Sequence, residues 1–240
     1  MLRRTPQEWP DRPFTGYKLA HAVVAADKRQ AGFAGLSIGA HLVYGAVAEA
    51  ACVWNRRHAP PRRRCGCGFY CLNAAAQAAA LACATANQHA VLLEVAASGH
   101  YLRFDRGLRY SRQRVRSVRA GRCDCGRPAA MLADAGRGVR GWRYLQPACA
   151  GCAAARPRLT FAEFGELLGG AVPVTSDPGA ADWPWQAGGV PVAGPPGAGA
   201  PDGAAITTLG AEIALVHARL DQLQAQVSRL TGGTDADGGQ

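Results

Sequence analysis

Lysine is nearly missing from this chain: Lys18 and Lys28 stand against 25 arginines in 240 residues. Methionine is as scarce, with two residues, and aromatics make up only 7%. The 48% hydrophobic content therefore leans on alanine, which favours helix but buries little area per residue. A core built this way is short of large apolar side chains, and a metal staple would help to hold it. An apolar signal-peptide segment is also absent, because Met1-Leu2-Arg3-Arg4 runs straight into Thr5-Pro6-Gln7-Glu8-Trp9. The expectation is a cytoplasmic chain. The longest weakly charged stretch, Ala31 to Trp54, is broken by four glycines, His41 and Glu49. A spanning helix needs a stronger apolar run with anchored ends, so this reads as a buried segment with no membrane partner. Neither H-x-E nor H-E-x-x-H occurs, nor does a P-loop, and the signatures of zinc deaminases, zinc proteases and phosphate-loop enzymes are thereby missing.

What the chain does have is nine cysteines, and the way they are spaced decides most of the reading. Cys52, His58, Cys65 and Cys67 read C-x5-H-x6-C-x-C, and Cys123, Cys125, Cys149 and Cys152 read C-x-C-x23-C-x2-C. Structural zinc takes four tetrahedral Cys or His ligands, usually as close pairs separated by a longer loop. Two such zinc ions are expected, one per set. An odd number of cysteines in C-x-C and C-x2-C pairs fits metal in a reducing compartment better than disulfides. Both sets contain Cys-x-Cys-Gly, ending at Gly68 and Gly126. A glycine there tolerates positive φ and lets the chain fold back on the ligands. Cys71 competes for the fourth place in the first set. Cys52 is preferred because it completes a site of three cysteines and one histidine and leaves Cys71 as a small buried hydrophobe. Cys83 has no partner at ligand spacing and reads as core.

A catalytic zinc keeps an open position beside an acid or base. Both sets already number four, and acids are few: from Cys52 to Cys152 there are 17 arginines against Glu94, Asp105, Asp124 and Asp134. A non-enzymatic protein is expected. The net charge of +10 thus belongs to the metal-bearing region. Arg62, Arg63 and Arg64 abut Cys65, and Arg103, Arg106, Arg109, Arg112, Arg114, Arg116 and Arg119 form a ladder interleaved with Tyr101, Phe104 and Tyr110. Arginines neutralise phosphates and aromatics stack on bases, so nucleic acid is the expected partner of this surface. On a strand, Arg112, Arg114 and Arg116 share one face and Val115 takes the other.

Along the chain, residues 1–15 read as a polar arm and 16–170 as one two-zinc α+β domain with short strands and an alanine-rich helix. That helix is expected from an Asn73 N-cap to about Gln88. Strands follow at Val91–Val95 and His100–Phe104 around a Ser98-Gly99 turn. After a turn at Asp105-Arg106-Gly107, an Arg-rich strand runs from Leu108 to Val118. Thr160-Phe161-Ala162-Glu163 is a capping box for a short helix that stops at Gly169-Gly170. Residues 171–205 read as a Pro/Gly/Ala linker. Within it, Trp183 and Trp185 are candidate contacts for a protein partner. Ile206, Leu209, Ile213, Val216, Leu220, Leu223, Val227 and Leu230 repeat at alternating steps of three and four. This a/d seam is expected to form a homo-oligomeric coiled coil over 206–230, ahead of a disordered tail at 231–240.

From Thr15 to about Val118 the chain resembles an uncharacterised family of bacterial and phage-encoded proteins. The likeness rests on Cys52, the turn His58-Ala59-Pro60, the run Cys65-Gly66-Cys67-Gly68-Phe69-Tyr70, the strand Val91–Val95 and the element Gly107-Leu108-Arg109. The resemblance implies the first metal set and no function. The whole reading is therefore an oligomeric zinc protein that contacts nucleic acid. A protein-recruiting adaptor is the second reading and a metal-dependent enzyme the third.

Overall fold

The computed structural model describes residues 12–36, 42–54, 57–83, 87–177 and 179. Their architecture corrects the α+β expectation, because eleven strands join in one continuous, largely antiparallel sheet. Helix is confined to a few short pieces. The seam from Ile206 to Leu230 lies outside the described residues, as do Trp183 and Trp185. No coiled coil is part of the described fold.

Strand β1 (Phe14–Ala25) organises the sheet. Its first half, Phe14 to Ala20, pairs antiparallel with β6 (Val91–Phe104). Its second half pairs with β2 (Ala31–Ala34) at 21–24 and with β9 (Trp142–Ala148) at 23–25. Leu19 to Val24 are all buried, as expected for a strand covered on both faces. Beyond β2, the strands β3 (Val43–Tyr44) and β4 (Val47–Glu49) lie near the surface. Among the described residues of the stretch expected to be buried, 31–34 are buried and Tyr44 and Ala46 pack against the core, while Leu42, Val47 and Trp54 are exposed.

Next come β5 (Phe69–Leu72), α1 (Ala75–Ala79) and a 3-10 turn at Ala80–Cys83. The alanine-rich helix is thus far shorter than its composition suggests. Its N-cap is Ala74, without a side-chain cap, while the Asn73 side chain donates to the Asp105 carbonyl and its backbone N–H to the Arg106 carbonyl. Ala78, Ala79 and Ala82 pack on Leu19 and Leu92, so the small side chains let this segment sit close against the sheet.

The two longest strands, β6 and β7 (Gly107–Ala120), form a hairpin across Asp105-Arg106. Ser98-Gly99 is not a turn between two strands. The register shifts between Ser98 and Tyr101 within one continuous strand, and Gly99 takes φ +73°, as in a β-bulge. On its other edge β7 pairs in succession with β5, β4 and β11 (Val174–Ser176), the last in parallel. Because β5 also meets β1 at Tyr17↔Leu72, the strands β1, β6, β7 and β5 close into a ring.

Strands β8 (Met131–Val139) and β9 form a second hairpin. Arg140 and Gly141 both take positive φ, +41° and +83°, the backbone of a tight two-residue hairpin turn. The helix α2 (Ala150–Ala153) and the strand β10 (Arg158–Thr160) lead into α3 (Phe161–Leu167). The capping box at α3 is present in full, and Gly169 and Gly170 end it with positive φ. Phe164 of α3 meets Phe33 edge-to-face, with ring centroids 6.0 Å apart, which pins the helix to the principal core.

Candidate metal centres

Cys52 follows β4, and His58, Cys65 and Cys67 lie on the loop that enters β5. The sheet brings them together because β4 and β5 are neighbours along the same edge of β7. Cys52 Sγ and Cys65 Sγ are 3.8 Å apart, and His58 Nε2 is 3.1 Å from Cys67 Sγ. The second set gathers the loop after β7 and the start of α2, with Cys125 Sγ 3.6 Å from Cys149 Sγ. In each set all four ligand atoms lie within 4.8 Å of one another. Tetrahedral sulfurs at 2.3 Å from one zinc stand about 3.8 Å apart, so both sets have the span to hold a metal ion. Cys71 belongs to neither set: it is buried in β5 within the principal core, and burial pushes its thiol up.

Both glycines after the C-x-C pairs do what their position predicts. Gly68 has φ +116° and Gly126 φ +82°. Around the first set the loop carbonyls are tied down. Arg109 Nη1 donates to the Cys65 carbonyl at 2.6 Å and Nη2 to the Arg62 carbonyl at 3.0 Å. Tyr70 Oη donates to the Gly66 carbonyl at 2.8 Å. In the second set, Asp124 between its two ligands faces His89 Nε2 at 2.8 Å and accepts from Gln146 Nε2 at 2.9 Å. These contacts orient ligand loops from outside, as supporting groups around metal sites do. Asp124 is engaged by them, and Glu49, three residues before Cys52 in the chain, is paired with Arg112 at 2.9 Å.

Crowding the sulfurs sets their proton affinities against one another. Burial pushes Cys67 up to about 11. The backbone amide of Cys152 draws Cys149 down to about 6. Cys152 itself is pushed up to about 12 by hydrogen bonds with the neighbouring thiols, Cys125 first. A bound cation relieves this conflict by taking all four ligands deprotonated.

The arginines divide. Arg62, Arg63, Arg64, Arg106, Arg112, Arg114 and Arg116 are exposed, and Arg112, Arg114 and Arg116 alternate with buried Gln113 and Val115 on β7. Arg109 is a correction to the expected surface, because it is buried and committed to the first metal loop. Arg103 stacks over Phe14 at 5.3 Å and near Tyr101 at 6.0 Å. Arg119 lies 3.7 Å from Glu94. Sequence reasoning passed over Lys18, whose ammonium sits 4.8 Å from the Tyr44 ring centroid and 5.0 Å from that of Phe69. Its signal was a lone lysine inside the strand Tyr17-Lys18-Leu19-Ala20.

Fold and site together define a β-sheet protein with two Cys/His clusters able to hold metal. No family model, curated protein or solved structure matches the chain. Among the described residues, no helix is long and apolar enough to cross a membrane.

Proposed function

We propose that the chain is a non-enzymatic binding protein, stapled by two structural zinc ions, whose exposed arginines contact nucleic acid. One donor set has three cysteines and a histidine and the other four cysteines; both suit zinc, and soft thiolates disfavour magnesium or calcium. Four ligands in each set, with the adjacent carboxylates occupied by His89, Gln146 and Arg112, favour a structural role over a catalytic one. The observation that carries the binding role is the row Arg112, Arg114 and Arg116 on one face of β7. Alternate residues on a strand stand about 7 Å apart, so the row presents a line of cations to a backbone of phosphates. The exposed Arg62-Arg63-Arg64 run adds charge to the same region of sheet, since its loop is tied to β7 through Arg109.

The test is binding of the full chain to a single-stranded oligonucleotide across a salt series. Affinity falls linearly on a log–log plot. Replacing Arg112, Arg114 and Arg116 by Gln lowers the slope by about 2. Binding that ignores salt, or an unchanged slope in the triple variant, overturns the reading.

A further inference from the structure

A cavity of about 800 Å³ opens beside the first metal loop, walled by β1, β5 and the segments around 36 and 81. Its lining is mostly apolar, and Leu42, Tyr70, Leu81 and Phe104 stand exposed around it. The size lies in the range of pockets that take drug-sized molecules. Besides the exposed Arg106, the cation of its wall is Lys18, held between the rings of Tyr44 and Phe69. Among the described residues no carboxylate pairs with it: Glu49, which also lines the cavity, is taken by Arg112. Burial pushes the neighbouring Cys71 thiol up, and the attraction between it and Lys18 offsets part of the shift of each.

We propose that this cavity binds an apolar carboxylic acid, its hydrocarbon among Leu36, Leu42, Leu72 and Leu81 and its carboxylate on Lys18 Nζ. The half-buried ammonium matches the head of an anion on an apolar body, and the exposed Arg106 adds a second positive charge to the lining. A cationic amphiphile is disfavoured, because the protein's own ammonium already occupies the aromatic cage. Burial lowers Lys18 to about 8, so the ammonium persists at neutral pH and gains from an anion that offsets its lost hydration. This site is separate from the arginine row and does not depend on nucleic-acid binding.

The experiment is isothermal titration calorimetry of the metal-loaded full chain with decanoate, decan-1-ol and decyltrimethylammonium. Decanoate binds one per chain and more tightly than either of the others. Lys18→Met weakens decanoate by about ten- to a hundredfold and leaves decan-1-ol unchanged. Equal binding of acid and alcohol by the unaltered chain overturns the proposal without reference to any variant. So does a Lys18→Met chain that keeps its preference for the acid.

Discussion

Arg109 donates from one guanidinium to the Cys65 and Arg62 carbonyls, bridging the third strand of the ring to the first metal loop. A buried cation in a fork geometry ties two carbonyls of the loop to one side chain. Replacing Arg109 with Met removes this donor from the Cys65 carbonyl and costs about 1–3 kcal/mol. The Arg62 carbonyl keeps the Cys65 backbone amide at 3.0 Å. The expected readout is a lower urea midpoint together with loss of one metal per chain in native mass spectrometry. Arg109→Lys does not restore the metal, because a point charge cannot span both carbonyls.

Metal content separates the ligands from the bystander. The intact chain is expected to carry two zinc ions in native mass spectrometry, and Cys52→Ala or Cys149→Ala one each. Cys71→Ala keeps two. A chain that loses a metal on removal of Cys71 but not of Cys52 reverses the ligand assignment. X-ray absorption on the loaded chain should show four ligands per zinc, all nitrogen or sulfur.

Gly16 faces Cys71 so closely that an added Cβ would meet its Sγ and Cβ. Gly16→Ala is expected to lower stability by about 1–3 kcal/mol through overpacking. The double variant with Cys71→Ala recovers part of the loss, since the sulfur is the nearest atom. Additive losses in a double-mutant cycle would place the strain elsewhere.

His21 gives the fold an acid sensitivity of its own. Buried in β1 with its ring 5.4 Å from that of Tyr144, it is drawn down to about 4, first by burial and then by the charges of Arg137 and His89. An unfolded histidine titrates near 6.5. As pH falls from there, the unfolded chain takes up the proton first, so stability declines between about pH 6.5 and pH 4 and levels off below. The full shift corresponds to about 3 kcal/mol. Urea unfolding of the loaded chain at intervals across that window should show the slope, and His21→Leu should remove it.

The two Cys/His clusters were legible because ligand chemistry demands close pairs, although spacing alone left Cys71 in competition with Cys52. The exposed face of Arg112, Arg114 and Arg116 was legible from strand alternation alone. The same alternation places Arg109 with Val115, toward the interior, so its burial had a signal that the tally of arginines obscured. The sheet was harder. Strand β8, with Ala133, Asp134, Ala135 and Gly136 at its centre, has a single β-branched residue, Val139 at its end, and its pairing with β9 imposes the conformation. Gly99 reads as a turn residue, yet its positive φ here serves a bulge. In α1, alanine propensity gave way to packing, and only five residues form α-helix.

Strand β7 carries Arg109 near its start and leads, three residues past its end, into Cys123. Both of its edges are occupied, one by β6 and the other by β5, β4 and β11 in turn. Its amides are therefore the natural place for the slowest hydrogen exchange in the molecule. With a candidate metal site at either end, the strand also acts as a gauge. Stripping the first centre should erode protection from Leu108 inward, and stripping the second should erode it from Ala120 back.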